Sequence, residues 1–255
     1  MRFLLGFGAA VASMAAHPVA ALDICVEGAY PPFSQVLEDG AMVGFDIDMA
    51  NALCARIGES CDLVRTNWDR MIPTLLDGGC DAIVASMSST EPRKRLIDFT
   101  APYYRSPGRF VARDGAGLAD TPDGLAGKAI GVQLGTVNQF FVQAHYPEAA
   151  LRVYVTQEHV LMDLEAGRLD AVFGEAAQLE AGFLETSAGE GFAFFGGEHF
   201  DPAIQGAGAA IGVRKDEPAL RDALSSAIAS IRADGSYQEI AAKYFDFDIY
   251  GGSGS

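Results

Sequence analysis

Short apolar runs alternate with segments of helical periodicity between residues 24 and 86. In the first helical segment, apolar side chains at Ile47, Ala50, Leu53 and Ile57 recur at the spacing of one helix face. The pattern predicts strands at 24–26, 62–64 and 81–86, separated by helices at 47–57 and 71–76. Alternation of this kind is typical of a parallel sheet with helices on both faces.

A second unit with the same alternation begins near Lys128. Strands are predicted at 130–132, 152–155 and 170–173, with helices from about residue 137, at 159–164 and from residue 175. The last part of the chain predicts a strand at 209–214 and helices at 218–231 and 237–244. Two α/β units of about 100 residues each are therefore expected.

The first 21 residues have the pattern of a secretory leader rather than of a folded element. Arg2 supplies a positive start, an apolar stretch follows, and Val19-Ala20-Ala21 supplies small residues for cleavage. A buried N-terminal helix is the alternative, but the apolar run is short and a strand pattern follows at once. No later stretch reaches the roughly 18 apolar residues of a membrane span. We expect residues 1–21 to be a cleaved signal peptide and the mature protein to be periplasmic.

Charge and cysteine content narrow the classes of partner. The formal net charge is −16, and removal of Arg2 with the leader makes it one unit more negative. Such a charge argues against nucleic acid as a partner and suits a cationic ligand.

Cys54 and Cys61 are close enough in sequence for a short disulfide. Cys25 and Cys80 lie on predicted strands, where they could form a second bridge or remain free core thiols. No spacing typical of a metal site accompanies them, so we expect no metal and no cofactor.

Residues that follow the strands of the first unit are the first ligand-binding candidates, because open parallel sheets bind ligands beyond the carboxyl ends of their strands. Each of these residues could instead have a purely structural role. Glu27 and Tyr30 could meet a cation or lie on a surface turn, and Trp68 could stack on a cation or pack on its helix. Ser86, Ser88 and Arg93 follow the third strand, where they could bind an amino acid head group or form a helix cap with a solvent-exposed arginine.

In the second unit, Thr136 and Gln139 have capping-box spacing, and the free N–H groups of the helix that they begin would favour a carboxylate. Glu175 follows the next strand, where it could accept from an ammonium or complement the helix dipole. Together with Arg93, Glu27, Tyr30 and Trp68, these residues have the groups needed to bind a free amino acid between the two units.

The motifs around these positions resemble those of the periplasmic lysine/arginine/ornithine- and histidine-binding proteins of ABC importers, and of the related opine-binding proteins. The matching segments are Glu27–Phe33, Gly44–Asp48, Cys54 with Cys61, Ala85–Arg93, Ala166–Ala171 and Lys243–Tyr250. The resemblance covers nearly the whole mature chain. Glu27 and Glu175 stand where the lysine/arginine/ornithine pattern has Asp, and Trp68 where it has Phe. Glu27 with Trp68 is more similar to the arginine and opine members.

The resemblance implies an α/β, two-lobed type II periplasmic binding protein, each lobe a mixed, mostly parallel sheet with flanking helices. Residues 22–107 and 206–255 would form lobe I and residues 108–205 lobe II, with two crossover strands as a hinge. It implies a Cys54–Cys61 disulfide, a monomer that serves the membrane subunits of an ABC importer, and a cationic amino acid or arginine-derived opine as ligand. The implied ligand-binding positions are Glu27, Tyr30, Trp68, Ala85, Ser86, Ser88, Arg93, Gln133, Thr136, Asn138 and Glu175.

A dehydratase and a receptor ectodomain are the alternatives to a binding protein. Cyclohexadienyl or arogenate dehydratases resemble the same fold, but they need a general acid about one helical turn after the Glu175 position, where this chain has Gln178. A receptor ectodomain would need a membrane span after the lobes. We therefore expect a binding protein and not an enzyme.

Overall fold

The computed structural model describes residues 21–250 of the chain, and the predicted leader, apart from Ala21, lies outside that range. Within it, no helix is both long and apolar enough to cross a membrane. The strands are β1 (Leu22–Val26), β2 (Ala29–Tyr30), β3 (Ser34–Val36), β4 (Met42–Val43), β5 (Cys61–Arg65), β6 (Ala82–Ile83), β7 (Asp98–Tyr104), β8 (Gly108–Arg113), β9 (Ala129–Gln133), β10 (Ala150–Tyr154), β11 (Ala171–Glu175), β12 (Phe192–His199) and β13 (Ala209–Val213).

The helices surround these strands and largely follow the predicted periodicity. They are α1 (Phe45–Ile57), α2 (Met71–Leu76), α3 (Glu91–Lys94), α4 (Val137–His145), α5 (Gln157–Glu165), α6 (Ala176–Leu179), α7 (Pro202–Gln205), α8 (Pro218–Ala233) and α9 (Ser236–Ala241). Short 3-10 turns lie at Trp68–Arg70 and Ser187–Gly189, and a π-helical turn lies at Glu180–Leu184. The last helix ends three residues before the predicted limit of residue 244.

Two five-stranded sheets form the centres of two lobes. The first has the order β5-β1-β6-β13-β7 and the second the order β10-β9-β11-β8-β12. In both sheets the first three strands are parallel, and the fourth pairs antiparallel with both of its neighbours. The sheets are thus mixed and mostly parallel, as the resemblance implies, rather than wholly parallel as the alternation alone suggests.

Two short chain segments join the lobes side by side. Residues 105–107 leave the first sheet after β7, and residues 200–208 return to it before β13, which pairs with β7. The Nε of Arg105 donates a hydrogen bond of 2.8 Å to the carbonyl oxygen of Ala207, which links the two segments directly. We propose that the lobes divide as 22–107 with 206–255, and 108–205; residues 251–255 of this division lie outside the described range.

The third predicted strand is shorter than the sequence suggests, because regular pairing ends at Ile83 instead of Ser86. Val84 still donates to the Cys25 carbonyl oxygen at 3.0 Å. Ser86 then adopts a left-handed backbone with φ of 52°, which interrupts the strand before Ser88 forms an isolated bridge with Ala209 of β13. The apolar run is therefore buried throughout, but only part of it is strand.

Both cysteine pairs lie in the first lobe and both are bridged. The Cys54–Cys61 disulfide joins the end of α1 to the start of β5, with a Cα–Cα distance of 6.0 Å. Cys25 and Cys80, which the sequence leaves open as a second bridge or as free thiols, form a disulfide with a Cα–Cα distance of 5.8 Å. β1 and β6 are neighbours in the sheet, and this brings the second pair together.

Candidate ligand-binding site

One cavity lies between the lobes, at the carboxyl ends of the central strands of both sheets. Each ligand-binding candidate proposed from the sequence lines it, and Val137 is an additional lining residue. The lining residues are Glu27, Tyr30, Trp68, Ala85, Ser86, Ser88, Arg93, Gln133, Thr136, Val137, Asn138 and Glu175. Within residues 21–250, no group of three or more His, Cys, Asp or Glu side chains is placed to hold a metal ion.

Glu27 is the first charged group of the cavity, and β1 places it there by ending at Val26. Its side chain is buried, with 6% of the residue exposed, and its Oε1 accepts a 2.6 Å hydrogen bond from the Nε2 of Gln133 at the end of β9. Burial raises the pKa of Glu27 to about 7, against the opposing effect of the Gln133 hydrogen bond. A nearby cation would restore the ionised form.

Glu175 is a second buried carboxylate and ends β11 in the other lobe. Its Oε2 accepts hydrogen bonds from the hydroxyls of Tyr30 at 3.2 Å and Tyr104 at 2.9 Å. Burial again raises the pKa to about 7, and the two tyrosine hydrogen bonds oppose this shift. The sequence identified Tyr30 but not Tyr104, which lies at the end of β7 and looks like an ordinary core aromatic.

Asp46 is a third buried carboxylate, for which the sequence predicts no role in binding; it contacts the lining residue Ser86 and does not itself line the cavity. Its carboxylate accepts hydrogen bonds from the hydroxyls of Ser86 at 2.8 Å and Tyr103 at 2.6 Å, and the Tyr103 hydroxyl accepts from the Ser86 backbone N–H. Burial raises its pKa to about 7. The network holds Ser86 in its left-handed conformation, which costs on the order of 1–3 kcal/mol for a residue other than glycine. From sequence, an Asp in the first turn of α1 indicates only a favourable helix dipole.

Arg93 is the cation of the cavity, and α3 positions it one turn beyond its cap, Thr90. Its Nη1 donates to the Ser88 carbonyl oxygen at 2.9 Å, and its Nη2 donates across the cleft to the Gly135 carbonyl oxygen at 3.1 Å. The guanidinium carbon lies 5.1 Å from the centre of the Trp68 ring, within range of a cation–π interaction. Burial lowers the pKa of Arg93 to about 10, so the side chain stays charged near neutral pH.

The N-terminus of α4 forms the opposite wall of the cavity. The Thr136 hydroxyl accepts from the Gln139 backbone N–H at 3.3 Å, while the Gln139 side chain accepts from Gly135 N–H at 2.7 Å. The predicted capping interaction therefore forms, except that the Gln139 side chain accepts from the N–H group of Gly135 instead of that of Thr136. Asn138 is buried, and its Oδ1 accepts no hydrogen bond from the residues that the structure describes, which leaves an acceptor at the cavity wall.

The cavity is built from both lobes, and hydrogen bonds between the lobes close it. These bonds join Gln133 to Glu27, Tyr30 and Tyr104 to Glu175, and Arg93 to Gly135. Among residues 21–250, no salt bridge involves Glu27, Asp46 or Glu175. Acidic groups thus outnumber the one arginine in a buried space, and this arrangement favours a guest that carries positive charge.

Comparison with known proteins agrees with this geometry. The family model of the bacterial extracellular solute-binding proteins, family 3, matches residues 22–247. The L-arginine-binding protein of Pseudomonas aeruginosa is 42% identical over 257 residues, which cover 98% of this chain and 99% of that protein. The histidine-binding periplasmic protein of Escherichia coli is 38% identical over 254 residues, which cover 99% of this chain and 97% of that protein.

The two-lobed architecture is shared with solved structures. A periplasmic binding protein of Salmonella typhimurium, described as having high arginine specificity, is similar with a TM-score of 0.81 and 31% identity. That likeness covers 88% of this chain and 99% of the Salmonella protein. The fold class expected from the sequence is therefore confirmed.

The raised pKa values predict a stability that falls as the pH rises. Folded-state pKa values near 7 for Glu27 and Glu175, above an ordinary value of 4.5, mean that the folded state binds protons more tightly than the unfolded chain. This contribution is complete below the ordinary value and is lost as the pH rises through about 7. Urea unfolding at pH 5, 6, 7 and 8 should show a smaller loss of unfolding free energy in the Glu27→Gln, Glu175→Gln double variant than in the wild type.

The exposed Glu38→Gln variant is the control and should follow the wild type at each pH. Equal pH dependence in the double variant and the wild type would contradict the assignment of this stability to the two buried carboxylates.

Proposed function

The chain belongs to family 3 of the bacterial extracellular solute-binding proteins, and from this membership we propose that it captures a cationic amino acid for an ABC importer. The ligands proposed are L-arginine, L-lysine, L-ornithine, L-histidine or an arginine-derived opine. The observation that carries the proposal is the cavity itself, which is lined by the carboxylates of Glu27 and Glu175 and by one guanidinium, that of Arg93, while the buried carboxylate of Asp46 lies behind Ser86.

The head group of the ligand would lie between Arg93 and the N-terminus of α4. A guanidinium has five N–H donors, so Arg93 can hold a carboxylate while it keeps its bonds to the Ser88 and Gly135 carbonyl groups. The free N–H groups at the start of α4 would add donors to the same carboxylate. Glu175, with the hydroxyls of Ser86 and Ser88 and the free Oδ1 of Asn138, would accept from the α-ammonium group.

The side chain of the ligand would point toward Glu27. Its carboxylate is fixed by Gln133 and lies in the same cavity as the rings of Tyr30 and Trp68, which can flank a flat or extended cation. An acidic side chain would face Glu27 across a buried space, and an aliphatic one would leave that carboxylate without a partner. Both kinds of ligand should therefore bind poorly.

Capture requires the lobes to close, since Arg93 and Glu27 belong to one lobe while Thr136 and Glu175 belong to the other. The paired connecting segments at 105–107 and 200–208 would act as the hinge, with Gly206 and Gly208 in backbone conformations that favour glycine. The closed form is what the membrane subunits of an importer would recognise. As a member of this family the chain acts outside the cytoplasm, and we propose the periplasm as its compartment, reached after removal of residues 1–21, with the chain working as a monomer.

An enzymatic role is not favoured by the residues around the cavity. The position where a dehydratase of this fold would need a general acid holds Gln178, an amide that is fully buried and donates to the Pro31 carbonyl oxygen at 3.2 Å. The relatives compared above are named for binding, not for catalysis.

Titration calorimetry with a panel of amino acids tests the proposed ligand class. L-arginine, L-lysine, L-ornithine, L-histidine and octopine, as an arginine-derived opine, form the test group, with L-glutamate and L-leucine as controls of opposite and no side-chain charge. At least one ligand of the test group should bind with a dissociation constant below about 10 μM, equivalent to about −7 kcal/mol. Tight binding of L-glutamate without any cationic ligand would overturn the proposal.

Substitution of Arg93 by Lys tests the proposed grip on the carboxylate. A lysine offers one point charge in place of a planar pair of donors, and charge-assisted hydrogen bonds contribute about 1.5–3 kcal/mol each. We expect Arg93→Lys to weaken binding roughly 10- to 100-fold with little change in melting temperature. Arg95→Lys, at an exposed position on the same segment, is the matched control and should bind as the wild type does. An unchanged affinity in Arg93→Lys would remove Arg93 from the site.

A further inference from the structure

The segment Ala176–Leu184, formed by α6 and the π-helical turn, belongs to the second lobe but packs against the first. We call it the docking segment. Ala177 is buried within the hydrophobic cluster of the first lobe, beside residues such as Tyr30 and Tyr104, and Ala181 packs against the same cluster. Its first residues are tied to the connecting segment, because Ala176 N–H donates to the Pro107 carbonyl oxygen at 2.8 Å. The docking segment therefore leads from the hinge toward the rim of the cleft.

Gly182 lies where the docking segment approaches Pro31 of the first lobe too closely for a side chain. A Cβ atom added to Gly182 would overlap the carbonyl oxygen of Pro31, in the loop between β2 and β3, and would lie 3.0 Å from the Gln178 Nε2. The φ of Gly182 is outside the left-handed range, so its backbone does not itself require glycine. Proximity to Pro31 across the cleft is the reason that a side chain does not fit.

Gln178 contacts the same carbonyl group from the next turn of the docking segment. It is fully buried, and its Nε2 donates to the Pro31 oxygen at 3.2 Å. Pro31 directly follows Tyr30, whose hydroxyl donates to Glu175 at the other end of the docking segment. The contact on Pro31 is therefore coupled through one short loop to a residue that lines the cavity. Turns of π-helix are rare, and they occur frequently at functional sites.

We propose that Gly182 and Gln178 set the ligand affinity from outside the cavity, because they let the docking segment seat on Pro31 when the lobes close. This inference rests on the proposed function, since it assumes capture by closure. A ligand that binds only the closed form has an apparent affinity reduced by the fraction of molecules that can close. A residue that permits the contact on Pro31 raises that fraction and tightens binding without touching the ligand.

Gly182→Ala tests the inference, with Gly197→Ala as the matched control. A Cβ added to Gly197 meets no atom within 4 Å, and its φ is also outside the left-handed range. With L-arginine, L-lysine, L-ornithine and L-histidine as probes, Gly182→Ala should raise the dissociation constant at least about tenfold, mainly through faster dissociation. Gly197→Ala should bind as the wild type does. The melting temperature without ligand should be the same for both variants, because the inference requires an open form in which separation of the lobes would leave room for the added methyl group.

A second variant, Gln178→Met, removes the hydrogen bond to Pro31 and nearly preserves the volume of the side chain. It should raise the dissociation constant by about threefold to tenfold. A dissociation constant of Gly182→Ala within twofold of Gly197→Ala would overturn the inference. So would a lower melting temperature of Gly182→Ala without ligand, which would mean that the contact is part of a permanently packed interface.

If the wild-type chain binds none of the four amino acids, the proposed function fails, and the inference that rests on it fails with it. If the wild type binds and Gly182→Ala binds equally well, the inference alone is contradicted.

Discussion

The buried carboxylates at the cleft, which form no salt bridge among residues 21–250, are the constraint on which the site depends. Glu27, Asp46 and Glu175 each have a pKa raised to about 7 by burial, although each accepts at least one side-chain hydrogen bond. An ionised carboxylate in such a place is costly unless a positive charge accompanies it. Among the described residues that line the cavity, Arg93 is the one cation, and its guanidinium donates to two carbonyl groups. The remaining charge is best balanced by a cationic guest, so the electrostatics of the cavity select the class of ligand.

The two-lobed topology explains how a buried site can also be filled and emptied. In each sheet the fourth position is taken by the strand that enters from the other lobe, and the charged residues lie at the carboxyl ends of the central strands. Glu27 and Glu175 therefore come from different lobes, and each is held by a hydrogen bond from the opposite one. The same bonds that fix the carboxylates for binding also close the cleft. The apparent affinity for the ligand therefore depends on how readily the lobes close. The docking segment would change only the closing of the lobes and not the contacts with the ligand.

Strand ends and helix periodicity made most of the fold and the lining of the cavity predictable. The helix of Ile47 and Leu53 and the strand that ends at Gln133 follow from local pattern, and the rule for ligands at strand ends located Glu27, Ser86 and Glu175. What could not be predicted depends on contacts distant in sequence. The Cys25–Cys80 bridge requires that β1 and β6 be neighbours, and the roles of Asp46 and Tyr104 depend on Ser86 and Glu175. The strand at 192–199 was not predicted from the sequence, because its glycines interrupt the alternation of its aromatic residues.

The most direct test of this account is the number of protons exchanged when a cationic ligand binds near neutral pH. Titration calorimetry of L-arginine at pH 7, in two buffers of different ionisation enthalpy, gives that number from the difference in heat. Carboxylates with pKa values near 7 are partly protonated before binding, and a buried cation should lower those values. The account predicts a net release of protons on binding, which becomes smaller in Glu27→Gln. Binding with no proton exchange, or with net uptake, would contradict it.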